Sequence, residues 1–311
     1  MVRRFRSADL EGMTALCNAR TQRDGYGEFL TLAAMIDQYA HLQRCDPETD
    51  LLVADRAGDV VGYARTTWDD TIEGVRDHWL IVEADPSCAG ADEHLMTWCE
   101  QRATEVAGTM RGEGRLVAEA FEGSERQRRL VARGFTALRY GAMMVRPHLR
   151  DIPDDRLPEG VERRPVIQEH LRAIWEADAA AFRDHRGYVE PTEADWGQFR
   201  DGAAHEDIGL WQVAWFGDEV VGQVRTHANA GDRELFGVHR AWTENISTVR
   251  EWRKQGVASA LICASLRQLA ERGYEQAVLG VDTENPNGAF ALYESLGYAV
   301  VAMDALYARP L

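Results

Sequence analysis

A cluster of basic and small residues in the second half of the chain has the composition of an anion-binding loop. Arg250, Arg253 and Lys254 carry positive charge, and Gly256 and Ala258 follow them where a helix is predicted to begin. The first backbone N–H groups of a helix have no partner within it and lie at the positive end of its dipole. Small residues let an anion reach these groups, so the sequence predicts a seat for a phosphate or pyrophosphate. An ordinary helix start with basic residues in the preceding turn is the alternative.

Other phosphate-binding and catalytic motifs are missing from the sequence. The chain contains no GxxxxGK[ST] loop, no GxGxxG loop after a strand, no GxSxG elbow and no HExxH pair. Its five cysteines include no CxxC pair. An odd number without pairs is typical of reduced thiols rather than of a disulfide framework or a zinc site, so we expect no metal.

The elements on either side must position this loop. Residues 240–249 read as a strand that runs into the turn, and residues 256–273 read as a helix with an apolar face. A strand at 275–282 and a short helix at 288–296 come next. The predicted anion seat therefore lies in a strand–loop–helix unit.

The two halves of the chain repeat one order of elements. Residues 53–66 (VADRAGDVVGYART) and residues 213–226 (VAWFGDEVVGQVRT) each predict two strands joined by a turn that contains Gly-Asp. The first half continues with a helix at about 90–108 and a strand at about 115–121, in the order seen in the second half. This agreement predicts a duplicated domain.

Each half places helices first, then a three-strand meander, then a β-α-β unit. This order predicts an α/β (α+β) fold of two tandem domains, each a mixed, mostly antiparallel sheet with helices on both faces. Residues 149–160 are rich in proline and acidic residues. We therefore expect a linker there, between a first domain at 1–148 and a second domain at 161–311.

The loop and its surroundings resemble the GCN5-related N-acetyltransferases (GNAT). The family signature [QR]-x-x-G-x-[GA] is matched by Arg253-Lys254-Gln255-Gly256-Val257-Ala258. A strand ending at Asp282 follows, and residues 285–298 resemble the N…A…LYE.LGF run with which family members often end. The resemblance covers residues 160–311 well and residues 1–148 more faintly. The whole chain is similar in arrangement to the tandem mycothiol synthases.

The resemblance implies acetyl-CoA as cosubstrate and no metal. Its pyrophosphate would lie on the backbone of the loop, and its pantetheine arm would bond the backbone of the preceding strand. The implied cofactor-binding residues are Ile246, Ser247, Thr248, Arg253, Lys254, Gln255, Gly256, Val257, Ala258, Ser259 and Asn285. A helix-capping or turn role before Pro286 is the alternative for Asn285.

The resemblance also implies an acid and a base for acyl transfer from a thioester to an amine. Tyr293 matches the family's general acid, because a phenol can donate a proton to the leaving thiolate. For the base, the predicted strand offers Glu244, which alternation places on one face with Trp242, Ile246 and Thr248. A carboxylate among such neighbours would have a raised pKa.

The assignment of the base has alternatives. Glu244 stands two residues away from the position that the family's glutamate would occupy. Glu234 on the preceding predicted strand, His239 and a water molecule are the other candidates.

The first half departs from the family pattern at the equivalent loop. Ser87-Cys88-Ala89-Gly90-Ala91-Asp92 replaces residues 253–258, so the arginine and the lysine are lost. The Asp92 carboxylate interacts favourably with the positive end of the helix dipole but would repel a pyrophosphate bound there. Leu130 stands where the second half has Tyr293. We therefore expect a degenerate first domain and one CoA site per chain.

Composition restricts the partners. The net charge of −16 disfavours nucleic acid and favours a cationic acceptor through electrostatic steering. No apolar run reaches the ~18 residues that a membrane span requires, and no signal peptide is evident. We expect a cytoplasmic monomer or homodimer without membrane or nucleic-acid partners.

Together these features predict an acetyl-CoA-dependent N-acyltransferase. It would move an acetyl group to a primary amine of a small molecule or peptide by direct attack, in the second domain. A non-catalytic acyl-CoA-binding or scaffold protein with the same fold is the alternative.

Overall fold

A computed structural model of the chain describes residues 1–88, 90–185, 187–285 and 288–311. Ala89 of the first-half loop, and Pro286 and Asn287 of the C-terminal run, lie outside these described residues. The chain forms two compact units. The first unit comprises Met1–Tyr140 and Asp304–Leu311, and the second unit comprises Gly141–Met303.

The first unit contains four helices and five complete strands within its described residues. They are β1 (Val2–Arg4), α1 (Leu10–Asp24), α2 (Leu32–Ala40), β2 (Leu51–Arg56), β3 (Asp59–Asp70), β4 (Val75–Ala84), α3 (Ala91–Gly108), β5 (Glu113–Phe121) and α4 (Glu125–Ala132). Strand β6 (Thr136–Arg146) begins in the first unit and ends in the second.

The second unit repeats this order with one additional helix, α7. Its elements are β7 (Val161–Arg163), α5 (Leu171–Phe182), α6 (Glu193–Ala203), β8 (Gln212–Phe216), β9 (Glu219–His227), α7 (Ala230–Phe236), β10 (Arg240–Thr248), α8 (Val257–Glu271), β11 (Gln276–Asp282) and α9 (Ala289–Ser295). Strand β12 (Ala299–Pro310) begins in this unit and ends in the first.

Each unit has a mixed sheet. In the first unit the hydrogen-bonded order is β1-β2-β3-β4-β5-β12, and in the second it is β6-β11-β10-β9-β8-β7. The pairs β4–β5 and β10–β11 are parallel, and the other pairs within each unit are antiparallel. The predicted fold class is therefore confirmed.

Helices cover both faces of the second unit's sheet. Along β8, Val213 and Trp215 pack with residues of α5 and α6, whereas Ala214 between them packs with residues of α8. This alternation follows from the two-residue period of a strand. The predicted apolar face of α8 is completely buried at Leu261 and Leu266.

A glycine is required where the strand and the helix of each repeat approach each other. A Cβ atom at Gly222 would lie 2.8 Å from Val257 Cγ1, and one at Gly62 would lie 2.7 Å from Leu95 Cδ1. Any larger residue would push the helix off the sheet. The V-V-G triplet of the sequence repeat thus corresponds to equivalent helix-packing positions in the two units.

The compact units differ from the repeat boundary predicted at 149–160. Residues 141–146 of β6 pair with β11 in the second unit, and residues 304–310 of β12 pair with β5 in the first. The limits of the compact units depend on where β6 and β12, the last strands of the two halves, find their pairing partners. The amino-acid composition does not reveal this pairing. The divide between the sequence repeats stays a prediction.

No helix in the described part of the chain is long and apolar enough to cross a membrane.

Candidate active site

Strands β10 and β11 part from each other at the centre of the second unit. The last parallel pair between their described residues is Trp242 with Val278. Towards β9, the register shifts between Glu244 and Ser247, so that β10 advances three residues while β9 advances two. This is a β-bulge, which bends a strand and increases its twist. Asn245 within it has a φ of 45°.

The bulge also changes which side chains share a face, because paired residues lie on the same side of a sheet. Glu244 pairs with Arg225, whose guanidinium donates to Asp178 of α5, so that Glu244 lies on the α5 face. Thr248 pairs with Gly222, which lies against α8. The predicted common face of Glu244 and Thr248 is therefore wrong, because the extra residue shifts the alternation.

A cavity of about 530 Å³ fills the space between the parted strands. Its walls come from residues 243–248 of β10, the start of α8, the end of β11, α9 and the end of α5. Twelve of the thirteen site residues predicted from the sequence line it, namely Glu244, Ile246, Ser247, Thr248, Arg253, Lys254, Gly256, Val257, Ala258, Ser259, Asn285 and Tyr293. Gln255 is the exception, because its exposed side chain donates to the Glu251 carbonyl.

The start of α8 presents unpartnered donors to this cavity. Gly256 is the N-cap residue, with a φ of 88°, and no side chain caps the helix. The first bond of the helix runs from the Ala260 N–H to the Gly256 carbonyl. The N–H groups of Val257, Ala258 and Ser259 precede this bond and have no partner within the helix. The first turn contains no acidic residue.

Two arginines of the loop form hydrogen bonds and ion pairs within the protein. Arg253 donates to Asp184 at 2.8 Å, to the Ala181 carbonyl at 2.8 Å and to the Thr248 carbonyl at 3.2 Å. Arg250 also donates to Asp184. These hydrogen bonds from both arginines hold the pKa of the Asp184 carboxyl below its usual range. The arginines therefore fasten the loop to the end of α5, and their charge is partly compensated there.

Lys254 reaches from the loop towards the start of α9. Its Nζ lies 3.5 Å from the position that a Cβ atom would take at Gly288. Both residues line the cavity, and both have a positive φ. The ammonium group therefore lies beside the cavity, between the loop and α9.

Tyr293 is a buried residue of α9 whose ring reaches the cavity. Its exposed fraction is 6%, and its ring meets that of Tyr298 edge-on, with centroids 6.1 Å apart. Burial raises the pKa of the Tyr293 phenol to about 12. The group is therefore a neutral hydrogen-bond donor at physiological pH.

The alternatives for the base lie outside the cavity. Glu234 is exposed on α7, so its predicted position on a strand is wrong: residues 230–236 form an additional short helix. His239 stacks on Tyr274 with ring centroids 4.0 Å apart, and its Nδ1 lies 3.2 Å from the Gly273 carbonyl oxygen.

The end of α5 contributes cavity residues that sequence reasoning missed. Ala181 and Phe182 at the end of α5, and His185 just after it, line the cavity. They lie more than 55 residues before the β10 segment in the chain, and no local motif marks them. Other missed residues of the wall are Trp252, Gly280, Val281, Asp282, Gly288, Ala289 and Leu292.

In the first unit an arginine bonds the backbone of the equivalent strand segment. Strand β4 pairs with β3 without a register shift. The guanidinium of Arg126 donates to the Val82 carbonyl at 2.8 Å and to the Leu80 carbonyl at 3.3 Å. These carbonyls lie just beyond the last parallel pair, Trp79 with Val117. The Arg126 side chain thus occupies backbone carbonyls of β4 that lie beyond its pairing with β5.

All five cysteines are free thiols. Within the described ranges, no group of three or more His, Cys, Asp or Glu residues could hold a metal ion.

Comparisons with known proteins agree with this geometry. Residues 169–298 match the model of the acetyltransferase (GNAT) family. A mycothiol acetyltransferase of Kocuria rhizophila is 30% identical over 217 residues, which are 66% of this chain and 70% of the relative. A mycothiol acetyltransferase of Streptomyces coelicolor is 28% identical over 98% of this chain and 97% of its own length.

Solved structures share the fold. A GCN5-related N-acetyltransferase from Sphaerobacter thermophilus has a TM-score of 0.72 at 21% identity, covering 100% of this chain and 95% of its own. A tandem GNAT protein from the clavulanic acid biosynthesis pathway has a TM-score of 0.71 at 14% identity, with coverages of 100% and 98%. With a family match over the cavity-bearing residues and relatives along the whole chain, this protein belongs to the GNAT family and is an N-acetyltransferase.

Proposed function

We propose that the protein transfers the acetyl group of acetyl-CoA to a primary amine of a small molecule or peptide, and that the reaction takes place in the second unit. The observation that carries this proposal is the single cavity that joins the unpartnered N–H groups of α8, the parted strands and Tyr293. A thioester cosubstrate needs these three features along its length.

The pyrophosphate of CoA would bind at the start of α8. The N–H groups of residues 256–259 and the helix dipole favour an anion there. The pantetheine arm would run along Ile246, Ser247 and Thr248, where β10 no longer pairs with β11. Its amides would replace the missing strand partner, and Asn285 lines the same cavity.

Tyr293 would act on the sulfur as the C–S bond breaks. Because its pKa is raised to about 12, the phenol keeps its proton until negative charge develops on the thiolate. A hydrogen bond that forms mainly in the transition state lowers the barrier without tightening substrate binding. The buried position of the ring would strengthen this interaction by excluding water.

Glu244 would act on the amine. Its carboxylate lies on the β10 wall at the bulge, and Asp282 supplies a second carboxylate from β11. Two acidic groups attract an ammonium acceptor and hold it at the bulge.

The relatives suggest which acceptor to test first. Several curated proteins similar to this chain are named mycothiol acetyltransferases, and one of them is matched along 97% of its length. The deacetylated precursor of mycothiol, which carries a primary amine, is therefore the first acceptor that we propose.

A thiol-release assay tests the proposal. The enzyme is mixed with acetyl-CoA and a panel of amines that includes the mycothiol precursor, and acetylated products are identified by mass. We expect release of CoA that depends on one class of amine. Tight CoA binding without transfer to any amine would favour the non-catalytic alternative.

A further inference from the structure

His185 projects into the cavity from the segment between α5 and α6. Its imidazole lies edge-on to the ring of Phe182, with centroids 4.6 Å apart, and both side chains line the cavity. The backbone N–H of His185 donates to the Phe182 carbonyl at 2.8 Å, which fixes the turn after α5. The ring is therefore held in place by its neighbour and by its backbone.

The imidazole is not used elsewhere in the described structure. Neither ring nitrogen hydrogen-bonds to another described residue, and His185 is the only histidine among the described residues that line the cavity. The wall also contains the titratable groups of Glu244, Asp282 and Tyr293. Asp282 already accepts the Glu284 N–H at 2.8 Å, and the raised pKa keeps Tyr293 protonated.

We propose that His185 is a catalytic proton acceptor in the acetyl transfer, acting on the acceptor amine from the cavity wall that follows α5. This inference rests on the proposed function and adds a residue to it. Glu244 would hold the ammonium group at the bulge, and the imidazole would receive its proton, directly or through one water molecule.

The surroundings keep the imidazole in the form that this role requires. Burial lowers the pKa of His185, and the nearby Arg253 guanidinium lowers it further. The carboxylates of Asp282, Asp184 and Asp178 act in the opposite direction, with smaller effects. The ring is therefore neutral at physiological pH and becomes protonated, and thus inactive as a base, only as the pH falls through its lowered pKa.

The ammonium nitrogen gives one proton to His185, and its free electron pair forms the C–N bond with the thioester carbonyl carbon. The C–S bond then breaks as the Tyr293 hydroxyl gives its proton to the sulfur, the phenolate takes a second proton from the nitrogen, and the third stays on the amide. His185 finally releases its proton to solvent, so that the products are the amide, the CoA thiol and one proton.

The acid limb of kcat/KM reports the base, and its loss in a His185 variant identifies the residue. A base must be deprotonated, so kcat/KM falls as the pH drops through the pKa of the free enzyme's base. Unperturbed carboxyl groups titrate at about 4, whereas unperturbed imidazole titrates at about 6.5. Because burial lowers the pKa of the His185 imidazole, we expect the acid limb of the wild type below the unperturbed imidazole value.

The test compares His185→Gln with His239→Gln, since His239 lies outside the cavity. We expect His185→Gln to lower kcat/KM on the neutral plateau by roughly 10²-fold and to remove the acid limb, as for loss of a general base. The affinity for CoA, measured by calorimetry, should stay within about twofold, which also reports an intact fold. His239→Gln should resemble the wild type in all three respects.

Three results would overturn the proposal. An unchanged acid limb in His185→Gln would leave the base elsewhere. A raised KM for acetyl-CoA at unchanged kcat would make the imidazole a cosubstrate contact. The same result in His185→Asn would confirm that contact. A wild-type enzyme that binds CoA but acetylates no amine would overturn the proposed function, and this proposal with it, whereas the first two results leave the function intact.

Discussion

Helices α3 and α8 begin in the same way and differ in their first turns. Each follows a glycine with a positive φ, 82° at Gly90 and 88° at Gly256, and neither has a side-chain cap. The first turn of α3 contains Asp92 and Glu93, and Asp92 forms an ion pair with Arg129. The first turn of α8 contains no acidic residue. The positive end of the α3 dipole is thus compensated by carboxylates of its own first turn, whereas that of α8 remains available to an anionic ligand.

The strands before these helices differ in the same sense. Strand β4 has no bulge, and Arg126 bonds the carbonyls beyond its parallel pairs. Strand β10 has a bulge, and its corresponding segment lines the cavity. Under the proposed function, a repeated scaffold gains or loses a cosubstrate site through few local features: one extra strand residue, one arginine and the charge of one helical turn.

The largest effect is expected at Tyr293, for which the first unit has Leu130. Tyr293→Phe should lower kcat by roughly 10²–10⁴-fold, because general-acid assistance appears mainly in the transition state. The KM for acetyl-CoA should change little. Steady-state kinetics with both substrates varied would measure the two effects separately.

Tyr298→Phe is the matched control. The Tyr298 hydroxyl shares a 2.9 Å hydrogen bond with Thr243 and does not line the cavity. Its removal should cost about 1 kcal/mol of stability and leave kcat nearly unchanged. If Tyr293→Phe kept a kcat within about twofold of wild type, Tyr293 would be a packing residue.

The two N-cap glycines provide a direct exchange experiment. Gly256→Asp should weaken CoA binding on the order of 10²–10³-fold, because like charges about 4 Å apart repel by about 4 kcal/mol at an effective dielectric constant of 20. Gly90→Asp imposes a similar backbone strain in the first unit and should leave CoA affinity unchanged. Calorimetric titration of both variants measures the difference. Equal losses in the two variants would remove the α8 loop from the site.

A smaller effect is expected at Glu244. Glu244→Gln should lower kcat/KM for a cationic amine by about tenfold, which corresponds to roughly 1.4 kcal/mol of lost attraction. The control is Glu234→Gln, since Glu234 is exposed on α7 outside the cavity. Rising salt should reduce the difference between Glu244→Gln and wild type, because screening weakens the same attraction. If Glu244→Gln and Glu234→Gln behaved alike, Glu244 would have no role in binding the amine.

Local sequence patterns predicted the parts of the site that depend on local geometry. The glycine at a helix start, the apolar face of α8 and the repeated V-V-G triplet each follow from the spacing of neighbouring residues, and the structure has all three. Helix α7 was missed, because its seven residues are too few to reveal a helical period.

Features that depend on tertiary pairing could not be read in this way. The bulge after Glu244 leaves no mark in a strand of mixed polarity, so the face of Thr248 was assigned wrongly. The pairing of Asp184 with Arg250 and Arg253 joins segments 66 and 69 residues apart. The approach of His185 to the cavity likewise follows only from the packing of α5 on the sheet.

The stoichiometry of CoA binding tests the central claim most directly. Isothermal titration of the full-length protein with CoA should give one site per chain, because the first unit has acids at the start of α3 and Arg126 on the backbone of β4. Two sites of comparable affinity would contradict the account, since the differences between α3 and α8 would then have no consequence for cosubstrate binding.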